Sequence, residues 1–252
     1  MEPLSRRKFV KLISFGTVVC SVPGKVWESV LLTEVQAASK SLAVDGVLKI
    51  RLSDFPALQE PYGSVRIGPN PIGFDHFPAA DFYPLIISRD ETGTFYAVDA
   101  QCKHANCTVP PFSTDSFTIQ CPCHGSNYSM DGSVYPDQMS AESLTPYEIS
   151  YDGEDTLMIL VQKFGFCITG RPVTTAVGDR FRIEFPTYQT TQYAVMFRET
   201  ADSEWMHVPV ALTQDGPTDT LNVVGTGNPM AVFVPRTTAT GFYSVQMLMS
   251  QV

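Results

Sequence analysis

The amino-acid sequence predicts an all-β chain in two domains, and three observations carry that expectation. Beyond about Leu42 the apolar residues recur with period two or in short runs, as in GVLKIRL, FYPLIIS and GTFYAVDA. That is the pattern of half-buried and fully buried strands. No convincing 3.6-residue repeat competes with it in this region. The Gly- and Pro-punctuated passage Phe164–Pro172 then separates two strand-rich regions.

The chain opens differently. Ser5-Arg6-Arg7-Lys8-Phe9-Val10-Lys11 precedes the weakly apolar LISFGTVVCSVPG, a pattern that resembles a twin-arginine export signal. The uncharged run Leu12–Gly24 has 13 residues between Lys11 and Lys25, whereas a spanning helix needs about 20. Cleavage after Val35-Gln36-Ala37 is therefore expected, with residues 1–37 as a removable signal segment. Export would place the protein in the periplasm or on the outer face of the cytoplasmic membrane. It would also remove Cys20 and leave five cysteines where disulfides persist.

Residues 42–163 form the first expected domain. Its strands GVLKIRL, FYPLIIS and GTFYAVDA are followed by Leu144–Ile149 and TLMILVQ, with turns at Arg89–Gly93 and Asp152-Gly153. Residues 168–252 form the second. Phe181, Ile183 and Phe185 face one way there, and Arg180, Arg182 and Glu184 the other. QYAVMFRE, EWMHVPVAL, TLNVVG, MAVFVP and GFYSVQMLM supply further strands. Short strands with regular turns suggest a β-sandwich of immunoglobulin or fibronectin III type. Trp205 and the C-terminal methionines are expected in its core, Cys167 as a buried free thiol, and His76 and His207 as ordinary surface or core histidines.

Composition bounds the function. With 44% hydrophobic and 17% charged residues the chain can build a real core. Its net charge of −9 and lack of a basic stripe argue against a nucleic-acid partner, and permit docking to a basic protein.

The chemistry is concentrated between positions 102 and 128, CKHANCTVPPFSTDSFTIQCPCHGSNY. Four of the six cysteines and two of the four histidines lie there. Cys102-Lys103-His104 and Cys121-Pro122-Cys123-His124 each offer a thiolate and an imidazole. Zinc would accept a Cys₂His₂ set, but usually with two to four residues between paired ligands, and the first pair here has one. An iron–sulfur cluster with two cysteines on one iron and two histidines on the other is the second candidate. Residue types alone leave both open.

C-x-H followed by C-x-x-H, with further cysteines at Cys107 and Cys123, resembles the Rieske [2Fe–2S] family over residues 42–163. The resemblance implies three antiparallel sheets with a cluster-binding subdomain. It puts Cys102 and Cys121 on the inner iron, His104 and His124 on the outer iron, and a Cys107–Cys123 disulfide between the two loops. Two thiolates leave an oxidised two-iron, two-sulfide site neutral, so neutral histidines favour a higher potential than four thiolates would. The Cys-Pro-Cys-His-Gly-Ser pattern is that of the high-potential, respiratory members. There, the residue matching Ser126 bonds a bridging sulfide and the one matching Tyr128 a cysteine sulfur, both favouring the reduced state. Val134-Tyr135-Pro136 would open the segment covering the cluster.

Three departures stand out. Quinol-oxidising members usually read C-T-H-L-G-C where this chain reads C-K-H-A-N-C. Ala105 thus replaces a shielding leucine, and Lys103 adds a charge. The covering segment PDQMSAESLTP also lacks the usual Gly-Pro-Ala start. Ligation is untouched, while the changes argue against an ordinary quinol partner.

The expected activity is one-electron transfer through one [2Fe–2S] cluster. The chain reads as the iron–sulfur subunit of a quinol–cytochrome c reductase-like respiratory complex, with no residue set for bond-making catalysis of its own. Cytochrome b- or c-type subunits would be its partners, and quinol a candidate donor. The alternatives are the small subunit of a periplasmic oxidase resembling arsenite oxidase, with a molybdenum subunit as partner, and a soluble Rieske shuttle. A zinc- or disulfide-stabilised binding module is the reading from another class.

Overall fold

Strand formation follows the period-two pattern closely, and almost nothing else forms. The computed structural model describes residues 44–69, 71–78, 82–166, 168–236 and 241–252. The expected signal segment with Cys20, and Cys167, lie outside the described residues. Among the latter there is no α-helix, only the 3₁₀ turns Leu52–Asp54 and Pro56–Gln59. No helix among them is long and apolar enough to cross a membrane.

The strands run β1 (Val44–Arg51), β2 (Ser64–Gly68), β3 (Leu85–Arg89), β4 (Phe95–Asp99), β5 (Ile119–Gln120), β6 (Asn127–Tyr128), β7 (Glu148–Tyr151) and β8 (Thr156–Gly165). They continue as β9 (Thr169–Thr175), β10 (Gly178–Phe185), β11 (Gln192–Arg198), β12 (Met206–His207), β13 (Asn222–Val224), β14 (Met230–Pro235), β15 (Phe242–Leu248) and β16 (Ser250–Gln251). Among the described residues these strands pair antiparallel. Two compact units result, one built mainly on Val47–Val161 and the other mainly on Gln162–Thr187 with Tyr193–Gln246.

The first unit holds the sheets β16-β2-β3-β4, β1-β8-β7 and the small β5-β6 ribbon. Three antiparallel sheets are what the family resemblance implies. Strand β3 lies between β2 and β4 and buries Leu85, Ile86, Ile87 and Ser88 in succession, so it reads as a continuous apolar run. It begins only after Pro84, whose ring nitrogen has no proton for the ladder. Strand β2 carries no strong periodic signal, yet it is fixed by β3 on one side and the C-terminal β16 on the other.

The second unit holds β14-β10-β9 and β12-β11-β13, with β15 pairing β11. Strand β9 falls in the passage taken as an interdomain break, and Pro172 is tolerated there because β9 is an edge strand. Ile183 and Phe185 are buried as expected. Arg180, on the polar face, is buried as well, because its guanidinium donates to the carbonyls of Thr213, Gln214 and Gly216. Trp205 departs from its expected core position. It is half-buried just before the two-residue strand β12, with the Arg198 guanidinium 4.4 Å from its ring centre. Met206 beside it is exposed, whereas His76 and His207 lie at the surface.

Candidate metal centre

The two loops that carry the chemistry are built on one backbone plan. In the first, Asn106 N–H donates to Cys102 O at 2.9 Å and Cys102 N–H to Cys107 O at 2.9 Å. In the second, Gly125 N–H donates to Cys121 O at 3.0 Å and Cys121 N–H to Ser126 O at 2.8 Å. Both turns need a left-handed residue at their fifth position. Asn106 (φ 58°) and Gly125 (φ 76°) supply it, two residue types that accept this region at low cost. The asparagine that departs from the family pattern is therefore conformationally equivalent to glycine here. Its side chain accepts a hydrogen bond from Gln101 and its carbonyl one from the Tyr83 hydroxyl.

The cysteines that open these loops belong to the core. Cys102 and Cys121 are buried free thiols, packed with Ile86, Val98, Ala100, Val109, Ile119, Tyr128 and Leu144. Burial pushes the Cys102 thiol up, but hydrogen bonds from the Tyr128 hydroxyl, the His104 and Ala105 backbone N–H groups and Cys121 outweigh it. Its pKa is lowered. For Cys121 burial prevails over the backbone N–H groups of Cys123 and His124, aided by the neighbouring Cys102, and its pKa is raised. Two buried sulfurs held side by side, with backbone N–H groups directed at them, suit a cation.

Tyr128 sits on β6 with its ring fully buried and its hydroxyl 3.2 Å from Cys102 Sγ. Burial and the adjacent cysteine push its pKa up, so the group is a phenol and a donor. Ser126 is buried too. Its hydroxyl oxygen accepts the Ser140 backbone N–H at 3.0 Å, tying the second loop to the covering segment. Asn127 N–H, donating to Gln138 Oε1 at 2.9 Å, makes a second tie.

His104 and His124 are exposed, with ring centres 4.7 Å apart and planes nearly perpendicular. Cys107 and Cys123 form the disulfide expected between the loops. Its two sulfurs lie within 4.8 Å of Cys121 Sγ. A single ion bound by those three sulfurs is excluded, because two of them are spent on each other. Buried Cys102 and Cys121 with the exposed histidine pair remain, a mixed sulfur–nitrogen set that suits a two-iron cluster bound asymmetrically.

The charge that Lys103 adds beside the site is paired. Its Nζ lies 2.5 Å from Asp99 Oδ2, with both side chains largely buried. Asp99 Oδ1 accepts the Thr145 N–H at 2.9 Å, so this carboxylate grips the first loop and the end of the covering segment together. Asp99 was not singled out from the sequence. An acid at the end of a strand gives no periodic signal, and only the turn after it brings Lys103 back.

Comparison with known proteins agrees with this geometry. The family model for the Rieske [2Fe–2S] domain matches residues 65–148. The cytochrome b6-f complex iron–sulfur subunit 2 of Synechocystis sp. is 27% identical over 133 residues, covering 52% of this chain and 71% of that protein. The chloroplastic cytochrome b6-f iron–sulfur subunit of Chlamydomonas reinhardtii is 40% identical over 50 residues, 20% of this chain and 24% of that one. Among solved structures, a cyanobacterial plasma membrane Rieske protein from Synechocystis has 23% identity and a TM-score of 0.31, over 43% of this chain and 94% of its own. Fold and site thus define an iron–sulfur electron-transfer protein. Residues 65–148 are a Rieske [2Fe–2S] domain, and that domain implies a [2Fe–2S] cluster as its cofactor.

Proposed function

We propose that Cys102 and Cys121 bind one iron of the cluster, that His104 and His124 bind the other, and that the chain serves as the iron–sulfur subunit of a quinol–cytochrome c or plastocyanin reductase-type complex. When bound, the cluster accepts and releases single electrons. The observation that carries this reading is the pairing of two buried thiols with two exposed imidazoles 4.7 Å apart. The thiols anchor the cluster in the core, and the histidines form the edge through which a partner can exchange electrons. Tyr128 and Ser126 provide hydroxyls on the sulfur side, which favours a high potential.

Several relatives are subunits of a cytochrome b6-f complex, which supports cytochrome-type partners. One observation favours the periplasmic-oxidase reading as the alternative. Ala105 is a small side chain beside the exposed His104, where quinol-oxidising members carry a shielding leucine. The twin-arginine segment supports export by that route to the outer side of the cytoplasmic membrane, and the second unit reads as an appended β-sandwich.

Electron paramagnetic resonance of the reduced full chain tests the ligand set. A low-average-g rhombic signal with nitrogen hyperfine coupling is expected, lost in Cys102→Ser and in His124→Ala. A colourless zinc protein, or a signal without nitrogen coupling, overturns it. Reoxidation of the reduced protein by a soluble cytochrome, compared with reduction by a short-chain quinol, separates the two partner readings. Export is tested by replacing Arg6 and Arg7 with lysine, which is expected to retain the chain in the cytoplasm.

A further inference from the structure

A shallow, open depression lies on the same unit and contains none of the proposed cluster ligands. It encloses about 370 Å³, and its lining includes Tyr62, Phe112, Phe117 and Tyr135 together with Asp90 and Asp131. Phe117 stands almost perpendicular to both neighbouring rings. Its centre is 5.3 Å from that of Tyr62 at 72° and 6.1 Å from that of Phe112 at 89°. The rings therefore form a corner rather than a stack.

The backbone holds this corner against its own preference. Tyr62 (φ 61°) and Phe117 (φ 53°) both occupy the left-handed region, which bulky residues rarely enter and which recurs at ligand sites. Phe117 is also 55% exposed, so burial does not account for its placement. A turn needing that conformation would be better served by glycine or asparagine.

The acids are fixed as anions. Asp90 accepts hydrogen bonds from the Thr92 hydroxyl and N–H, the Thr94 N–H and the Tyr96 hydroxyl. Asp131 accepts from the hydroxyls of Ser129 and Ser133 and from the Ser133 N–H. These bonds hold both carboxyls below their usual range. Glu91, outside that lining, accepts a hydrogen bond from the Tyr62 hydroxyl at 2.6 Å. The neighbouring Arg89 gives no compensation inside the cavity, since its guanidinium lies over Phe95 and donates to Gln59 O.

We propose that this aromatic corner with its carboxylate rim binds an organic cation, a methylated ammonium or a guanidinium group. Ring faces attract such ions through their quadrupole, and the attraction grows where other groups exclude water. The acids supply the sign selectivity. A free small molecule and a basic side chain of a partner protein share this chemistry.

The full chain with its cluster is titrated by calorimetry with choline, with arginine amide and with 3,3-dimethylbutan-1-ol, the uncharged isostere of choline. At least one cation is expected to bind about tenfold or more tightly than the isostere. Tighter choline binding identifies a small ammonium ligand, and tighter arginine amide binding identifies a partner side chain. Phe117→Gly is the decisive variant. It removes the ring at a position whose backbone conformation glycine adopts freely, so the fold is kept, as a thermal melt checks, while cation binding is lost. Equal affinity for the isostere, no binding of either cation, or unchanged binding in Phe117→Gly overturns the proposal. None of these results depends on which residues ligate the cluster.

Discussion

Replacing Tyr128 with phenylalanine removes one oxygen and keeps the buried ring. The wild-type hydroxyl lies 3.2 Å from Cys102 Sγ in a fully buried setting. Hydrogen bonds to charged groups contribute about 1.5–3 kcal/mol net. Cys102 keeps its donors from the His104 and Ala105 backbone, so the loss is one bond among several. Only the part that differs between oxidised and reduced protein moves the potential. If that part is about 1 kcal/mol, the reduced state is disfavoured by roughly 40 mV, since 1.4 kcal/mol corresponds to 59 mV for one electron. The potential of Tyr128→Phe is therefore expected to fall by a few tens of millivolts, measured by film voltammetry with a thermal melt as the structural control. An unchanged potential with an intact fold would show that the hydroxyl does not act on the cluster. A rise would mean that the sign of the argument is wrong.

Three further outcomes follow from contacts in the same unit. Lys103→Met leaves Asp99 largely buried without its ion-pair partner while the Thr145 N–H bond is kept. A loss of about 1–3 kcal/mol in denaturant titration is expected, most of it recovered in the Lys103→Met/Asp99→Asn double variant. Cys107→Ser opens a disulfide spanning a separation of 16 residues and is expected to cost about 3 kcal/mol, read as a lower melting temperature and a shorter cluster half-life in air. Burial pushes the Asp131 carboxyl up, but the Ser129 and Ser133 hydrogen bonds prevail and its folded pKa is depressed. Its contribution is therefore present above the unfolded carboxylate value of about 4 and lost as pH falls through the folded value. Asp131→Asn should flatten that part of the acid-unfolding curve, and an unaltered acid limb would remove Asp131 from the account.

How far the sequence could be read depended on whether a signal was local. Apolar runs such as FYPLIIS and QYAVMFRE predicted strands close to the observed Leu85–Arg89 and Gln192–Arg198. The cysteine and histidine pairs stood out because the motif is dense in rare residues, and the disulfide pairing came from the family resemblance that this motif carries. What escaped was non-local. Strand β2 depends on two partners, one of them β16 at the far end of the chain. The burial of Arg180 depends on three carbonyls more than 30 residues away. The Asp99 grip on Lys103 and Thr145 depends on a turn whose geometry composition does not encode. Each case is a polar or weakly apolar group whose environment is set by distant backbone.

The shared plan of the two loops bears on the unequal spacing of their cysteine and histidine pairs. Each loop is closed by bonds from its first residue to its fifth and sixth, with a left-handed fifth residue. Within that common turn the third and sixth positions serve different ends. The first loop has His104 third and Cys107 sixth, and the second has Cys123 third and Ser126 sixth. Cys107 and Cys123 join the loops to each other, while Ser126 joins the second loop to the covering segment through Ser140. In the second loop the bridge occupies the third position and the histidine follows one residue later, at His124. The change from C-x-H to C-x-x-H thus accompanies the placing of the bridge within a repeated turn. It also predicts that moving the second histidine to position 123 would cost the bridge before it restored any symmetry.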